Sequence, residues 1–312
     1  MKRRSVVIGA GAALAAAGGL WWAFRRRPSL STEEFAALYR EPLAPPSGPV
    51  ATYHLGHSLV GRDMPAMLGA WAGHDHASQL GWGTPLKGHR TGEIAGFDTE
   101  NDHAAFRPVG EALASGDYDV VVLTEMVEIR DAIRWHDSAH ELAAWARAAR
   151  AGNPEVRVYL YETWHPLDDP EGWLARLDAD LARHWEGEIL RPALAERGVG
   201  TIHVIPAGQV MAAAVRAMEA GEVPGMTDRS QLFGRTPEGA PDMIHLGDWG
   251  NWLVAMTHHA VIYHGLPEDA PVLNADGSPA TPLPPDAEDA LRQVVWRVVS
   301  GYPPAGLAPA RG

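Results

Sequence analysis

Two short segments carry residue types and spacings able to support acyl-transfer chemistry. The first is Gly56-His57-Ser58-Leu59-Val60-Gly61, a serine in a glycine-flanked turn ahead of a predicted helix beginning near Pro65. Such a turn exposes a hydroxyl and aims backbone N–H groups at an oxyanion. The second is Asp242-Met243-Ile244-His245-Leu246-Gly247, read as a loop entering a helix. An Asp three residues before a His can orient the imidazole and stabilise its cation, leaving the other ring nitrogen for a nucleophile. Taken singly, the serine is an ordinary turn residue, and the Asp and His are a cap and a loop histidine. Together they have the composition of a Ser-His-Asp triad. The chain has no cysteine, which excludes thiolate nucleophiles, disulfides and Cys-ligated zinc, so any nucleophile is oxygen or nitrogen.

Other chemistries find weaker support. The elbow G-x-S-x-G and the zinc motif H-E-x-x-H are both absent. Among fifteen histidines, His54 with His57 and His74-Asp75-His76 are the tightest groups, but neither has the helical context that brings two ligands to one metal. The pair His258-His259 reads as core or solvent-facing. Gly9-Ala10-Gly11 follows no domain strand and lacks the full G-x-G-x-x-G spacing of a dinucleotide fold. A net charge of −13 argues against nucleic acid as a partner.

Positioning these residues requires a sheet. From Pro49 onward, β-type runs alternate with helical patterns: PVATYHLG and a helix near 64–73, DYDVVVLTE and a helix near 138–151, RVYLYETW and a long helix near 170–198, TIHVIPAG and a helix near 208–221. Further helices are predicted near 248–264 and 286–300, with a Pro-rich surface loop at 270–286. Strand-helix alternation predicts a parallel sheet, and the unbroken apolar run DVVVL predicts helices on both faces. Ligands bind beyond the carboxyl ends of such strands, where both segments would lie.

Residues 1–27 form a separate unit: Lys2-Arg3-Arg4, an uncharged apolar stretch, then Arg25-Arg26-Arg27-Pro28. The Arg3-Arg4 pair is similar to a twin-arginine export signal, and residues 5–24 are long enough to anchor in a membrane. The expected organisation is this signal or anchor (1–27), a linker with a peripheral helix (28–48), one catalytic domain (49–303) and a tail (304–312).

The strand leading into LGHSLVG, with DMIHLGDWGNWLVAMTHHAVIYH near the end, resembles the first and last blocks of the SGNH (GDSL-like) hydrolase superfamily. That resemblance spans residues 49–302 and implies a flavodoxin-like three-layer α/β/α sandwich around a mostly parallel sheet. It implies Ser58 as nucleophile, His245 as general base and Asp242 as its holder, with no cofactor. The oxyanion hole would use the Ser58 N–H and a glycine among Gly81, Gly83 and Gly88, with Gly83 the best spaced. Where the family has Asn, this chain has Thr124-Glu125 at the end of DVVVL. An ionised Glu125 cannot donate to an oxyanion, so it is protonated, turned away, or used to bind a substrate hydroxyl or hold a histidine. Tyr161-Glu162-Thr163-Trp164-His165 resembles a feature of carbohydrate-directed branches. Of the twelve tryptophans, Trp82 and Trp164 are expected to line the cleft, while Trp71, Trp145 and Trp252 are expected in the core. The resemblance implies a serine esterase removing small acyl groups such as acetyl from a carbohydrate or related ester, and the N-terminal segment implies export, to the periplasm or anchored facing it; an envelope acyltransferase with the same triad and a degenerate binding module are the alternatives.

Overall fold

The structure is a computed structural model that describes residues 27–308. The predicted signal or anchor falls almost wholly outside the described residues, among which no helix is long and apolar enough to cross a membrane.

Five parallel strands form the central sheet: β1 (Thr52–His57), β2 (His76–Gly81), β3 (Val120–Leu123), β4 (Arg157–Glu162) and β5 (Ile202–Pro206). Their order is β2-β1-β3-β4-β5, the flavodoxin-like order, which places a crevice between the ends of β1 and β3. The alternation of side chains divides β3 between two cores. Val120 and Val122 enter one, Val121 and Leu123 the other.

The helices are α1 (Thr32–Leu38), α2 (Asp63–Ala72), α3 (Leu86–Thr91), α4 (Phe97–Glu100), α5 (Val109–Ser115), α6 (Ile129–His136) and α7 (Ser138–Gly152). They continue with α8, built from Trp173–Asp180, a π-helical stretch Leu181–Leu190 and Arg191–Leu194, then α9 (Ala207–Glu219), α10 (Asp248–Tyr263) and α11 (Ala287–Ser300). Buried side chains of α2, α9, α10 and α11 cover one face of the sheet, and those of α1, α5 and α7 cover the other. α8 begins on the first face with Trp173 and Leu177 and ends on the second with Trp185 and Ile189. This is the expected three-layer α/β/α sandwich.

Several elements depart from the sequence reading. β2, α6 and a short antiparallel ribbon of β6 (Phe233–Arg235) and β7 (Pro241–Leu246) were not expected, so Asp242 and His245 sit on a strand rather than a loop. Residues 28–48 dock on the domain: Phe35 is buried, and the Tyr39 hydroxyl donates to the Ile202 carbonyl at 2.7 Å. The tail is partly core, with Ala305 and Leu307 buried. The Pro-rich loop is held by indole N–H groups, Trp252 donating to the carbonyl of Ala270, Trp71 to that of Pro271 and Trp249 to that of Pro282.

Candidate active site

Ser58 is the first residue beyond β1. A turn closes over it, with the Val60 N–H donating to the His57 carbonyl at 2.9 Å. Gly56 is required for the approach of β3, because a Cβ there would lie 2.5 Å from Thr124 Cγ2 and 2.9 Å from Val60 Cγ2. Two buried imidazoles brace the strand end. His57 Nε2 bonds the Glu125 carbonyl at 2.8 Å while its Nδ1 accepts from the Leu59 N–H at 3.3 Å. His89 Nε2 bonds the Gly56 carbonyl at 2.8 Å. Burial pushes both rings down to about 4, so at neutral pH they are uncharged struts.

Ribbon strand β7 delivers the partners to this turn. His245 Nε2 lies 3.0 Å from Ser58 Oγ, and His245 Nδ1 lies 3.0 Å from Asp242 Oδ2. Asp242 also accepts, at Oδ1, the N–H groups of Ile244 and His245, each at 2.8 Å. Partial burial alone would raise the Asp242 carboxyl, but the two N–H donors and the imidazole outweigh it and hold it below its ordinary value. The three residues proposed from widely separated segments therefore form one continuous hydrogen-bonded relay, with geometry suited to passing the Ser58 proton to the imidazole.

Gly83 sits in the turn after β2, at the same edge of the sheet and with φ +51°. Gly81 is in register with His57, so the turns carrying Ser58 and Gly83 leave neighbouring strands side by side. Among the described residues, neither the Ser58 nor the Gly83 N–H donates a hydrogen bond within the protein.

Glu125 does not face this site. It is fully buried, and its Oε1 accepts the N–H of Leu86, the first residue of α3, at 3.1 Å and that of Met126 at 2.9 Å. The side chain is turned inward as a helix cap, and burial raises it to about 7. Contact with His57 is made by its carbonyl alone.

Trp164 likewise is no cleft wall. It is wholly buried in the core, and its indole N–H donates to the Ile244 carbonyl at 2.8 Å. Beside it, the Leu167 N–H donates to the Met243 carbonyl at 2.7 Å. The loop after β4 thus grips the strand that carries Asp242 and His245, a role the sequence reading missed. The available signal was chemical, since a buried indole N–H needs an acceptor.

That loop is itself anchored by Arg176. The guanidinium, 4% exposed, bonds Asp169 and Asp180 at 2.9 Å each and Glu128 at 3.3 Å, and lies 3.4 Å from His165 Nδ1. Glu128, His165 and Asp169 are close enough to share a cation, and Arg176 supplies that positive charge. The other histidine groups are structural: His74 lies between Thr52 and Tyr263 at 3.4 and 2.5 Å, and His258 is buried with Nδ1 bonded to the Val254 carbonyl at 2.9 Å.

No protein-family profile and no curated protein matches the chain. Among solved structures, the fold is similar to that of a DUF4886 family protein from Bacteroides uniformis, with a TM-score of 0.51 and 16% identity over 84% of this chain and 98% of that one. A protein named as a GDSL-like lipase from Parabacteroides merdae aligns with a TM-score of 0.42 and 13% identity over 69% of this chain and 96% of that one.

Proposed function

We propose that this chain is an exported serine ester hydrolase of the SGNH type. The observation that carries the reading is the unbroken relay from Ser58 Oγ through His245 to Asp242 at the carboxyl-end edge of a parallel sheet. Ser58 Oγ attacks the acyl carbonyl as His245 Nε2 takes its proton, and Asp242 steadies the imidazolium. The tetrahedral oxyanion rests on the Ser58 and Gly83 N–H groups. Collapse breaks the ester bond, and His245 returns the proton to the leaving alcohol. Water, deprotonated by the same imidazole, then attacks the acyl-serine and releases the acid.

Hydrolysis is favoured over transfer to a sugar hydroxyl by the openness of the base: the His245 side chain is 49% exposed, which admits water. The substrate proposed is a small acyl group, such as acetyl, on a carbohydrate. Residues 1–27 are proposed to direct export, with residues 5–24 as a membrane anchor facing the domain to the periplasm.

Fluorophosphonate labelling and p-nitrophenyl acetate hydrolysis test the reading. The protein is expected to label and turn over, with both signals abolished in Ser58→Ala and His245→Ala. A folded protein that neither labels nor turns over overturns it and favours a binding module on this fold.

A further inference from the structure

Outward from β1 along the same sheet edge, the turn after β2 carries a second constructed surface. Its centre is Trp82, 55% exposed, an unusual position for so large an apolar ring. The residue is fixed at every point. Its N–H donates to the Ala95 carbonyl at 2.8 Å, its carbonyl accepts from the Thr84 hydroxyl at 3.4 Å, and its indole N–H donates to Glu100 Oε1 at 2.7 Å. The ring lies against Gly96 (φ +65°), where any Cβ would collide with indole Cγ, Cδ2 and Cε2. The segment beneath is locked to β2 by Asn101, whose amide accepts from the Leu80 N–H at 2.9 Å and donates to the carbonyls of Leu80 and Phe97 at 2.8 Å each. A ring already held in one orientation binds a flat partner with little further loss of side-chain freedom.

Its placement ties it to Ser58. Gly81 and His57 are partners in register, so Trp82 and Ser58 are each the first residue beyond parallel strands spaced about 4.8 Å apart. β2 is the edge strand, and the groups that hold Trp82, the Ala95 carbonyl, Gly96 and Glu100, belong to the segment bonded along its outer side through Asn101, which sets the indole away from β1. Gly83, which carries the N–H proposed for the oxyanion, follows Trp82 directly in the chain.

We propose that Trp82, backed by Gly96 and anchored by Glu100, is a stacking subsite for an uncharged saccharide ring on the alcohol side of the ester; this rests on the hydrolase reading. A pyranose offers a C–H face for the indole and hydroxyls that need acceptors at the ring edge. The second oxygen of Glu100, with exposed Asp98 and Thr99 on α4, supplies them. The net charge of −13 disfavours an acidic saccharide.

The test compares kcat/KM on acetylated xylotriose with kcat/KM on ethyl acetate, which has no ring. Trp82→Ala is expected to lower the ratio of the two about tenfold, chiefly through KM. Trp82→Phe should recover part of the loss. Glu100→Ala, which keeps the ring but releases it, should fall between Trp82→Ala and the unaltered protein. A ratio identical in Trp82→Ala and the unaltered protein, with Ser58 still labelled by fluorophosphonate, overturns the subsite. If Ser58 does not label, the hydrolase reading fails separately and the subsite is judged by titrating tryptophan fluorescence with xylotriose. Saturable quenching that disappears in Trp82→Ala upholds the subsite, and quenching indifferent to Trp82, or none, overturns it.

Discussion

Asp242 does two things with one carboxylate: Oδ1 ties down the backbone of its own strand and Oδ2 holds the imidazole. Asp242→Asn preserves the shape, but its amide N–H group can face Nδ1 and favour the wrong tautomer. Turnover should fall on the order of 10³ to 10⁴-fold while KM moves little, checked by steady-state kinetics beside the melting temperature. Trp164 acts at one remove, as a positioning residue. Trp164→Phe keeps most of the core volume but deletes the donor to the Ile244 carbonyl, loosening the strand on which His245 rides. The expected result is a stability loss of about 1–3 kcal/mol. A fall in fluorophosphonate labelling rate of roughly 10 to 100-fold should accompany it. Labelling at the unaltered rate in a destabilised Trp164→Phe protein would make the indole purely structural.

The site is assembled from strand ends that irregular segments must hold in place, and indoles supply much of the holding. Six indole N–H groups, those of Trp71, Trp145, Trp164, Trp173, Trp249 and Trp252, donate to backbone carbonyls. Four of the accepting carbonyls, those of His165, Ala270, Pro271 and Pro282, lie outside any helix or strand, where no ladder reaches them. The close approach of β1 to β3 is equally demanding. Gly56→Ala would drive a methyl into Thr124 and Val60, two residues before the nucleophile. It should destabilise the fold by about 1–3 kcal/mol and slow Ser58 labelling, whereas a methyl added at the open Gly110 of α5 should leave labelling unaltered. Equal labelling rates for the two variants would show that the turn tolerates the displacement.

Across the molecule, buried ionisable groups set opposing pH slopes. Burial lowers His57, His74, His89, His203 and His258 to about 4, against an ordinary 6.5. Their contribution to stability is complete above pH 6.5 and is lost as pH falls towards 4, because the unfolded chain takes up protons the folded one refuses. Burial raises Glu125 to about 7 and Glu162 to about 8 from an ordinary 4.5. Their contribution is complete below 4.5 and is lost as pH rises through 7 to 8. Denaturant midpoints should therefore peak at about pH 6.5. Glu125→Gln retains an acceptor for the Leu86 N–H without the titration, so its stability relative to the unaltered protein should rise between pH 4.5 and 7; parallel curves for the two proteins would show Glu125 to be ionised in the fold.

The sequence by itself determined what depends on neighbours in the chain. The apolar run at 120–123 announces a strand covered on both faces, the helical periodicities announce the layers, and Asp242 reaches His245 because the two stand three positions apart in the chain. Ser58 could be paired with them from residue type and order, but only the fold brings its hydroxyl to 3.0 Å from the imidazole. Tertiary structure alone decided the partners of isolated polar groups. The edge strand β2 escaped notice because His-Ala-Ser-Gln-Leu-Gly has no β-branched residue and its Gln79 is satisfied by Val109 and His89, far along the chain. Glu125 became a helix cap through Leu86, and Trp164 a core tie through Ile244, eighty residues away. Periodicity is written locally, whereas the burial and pairing of a single carboxyl or indole depend on which distant backbone group arrives beside it.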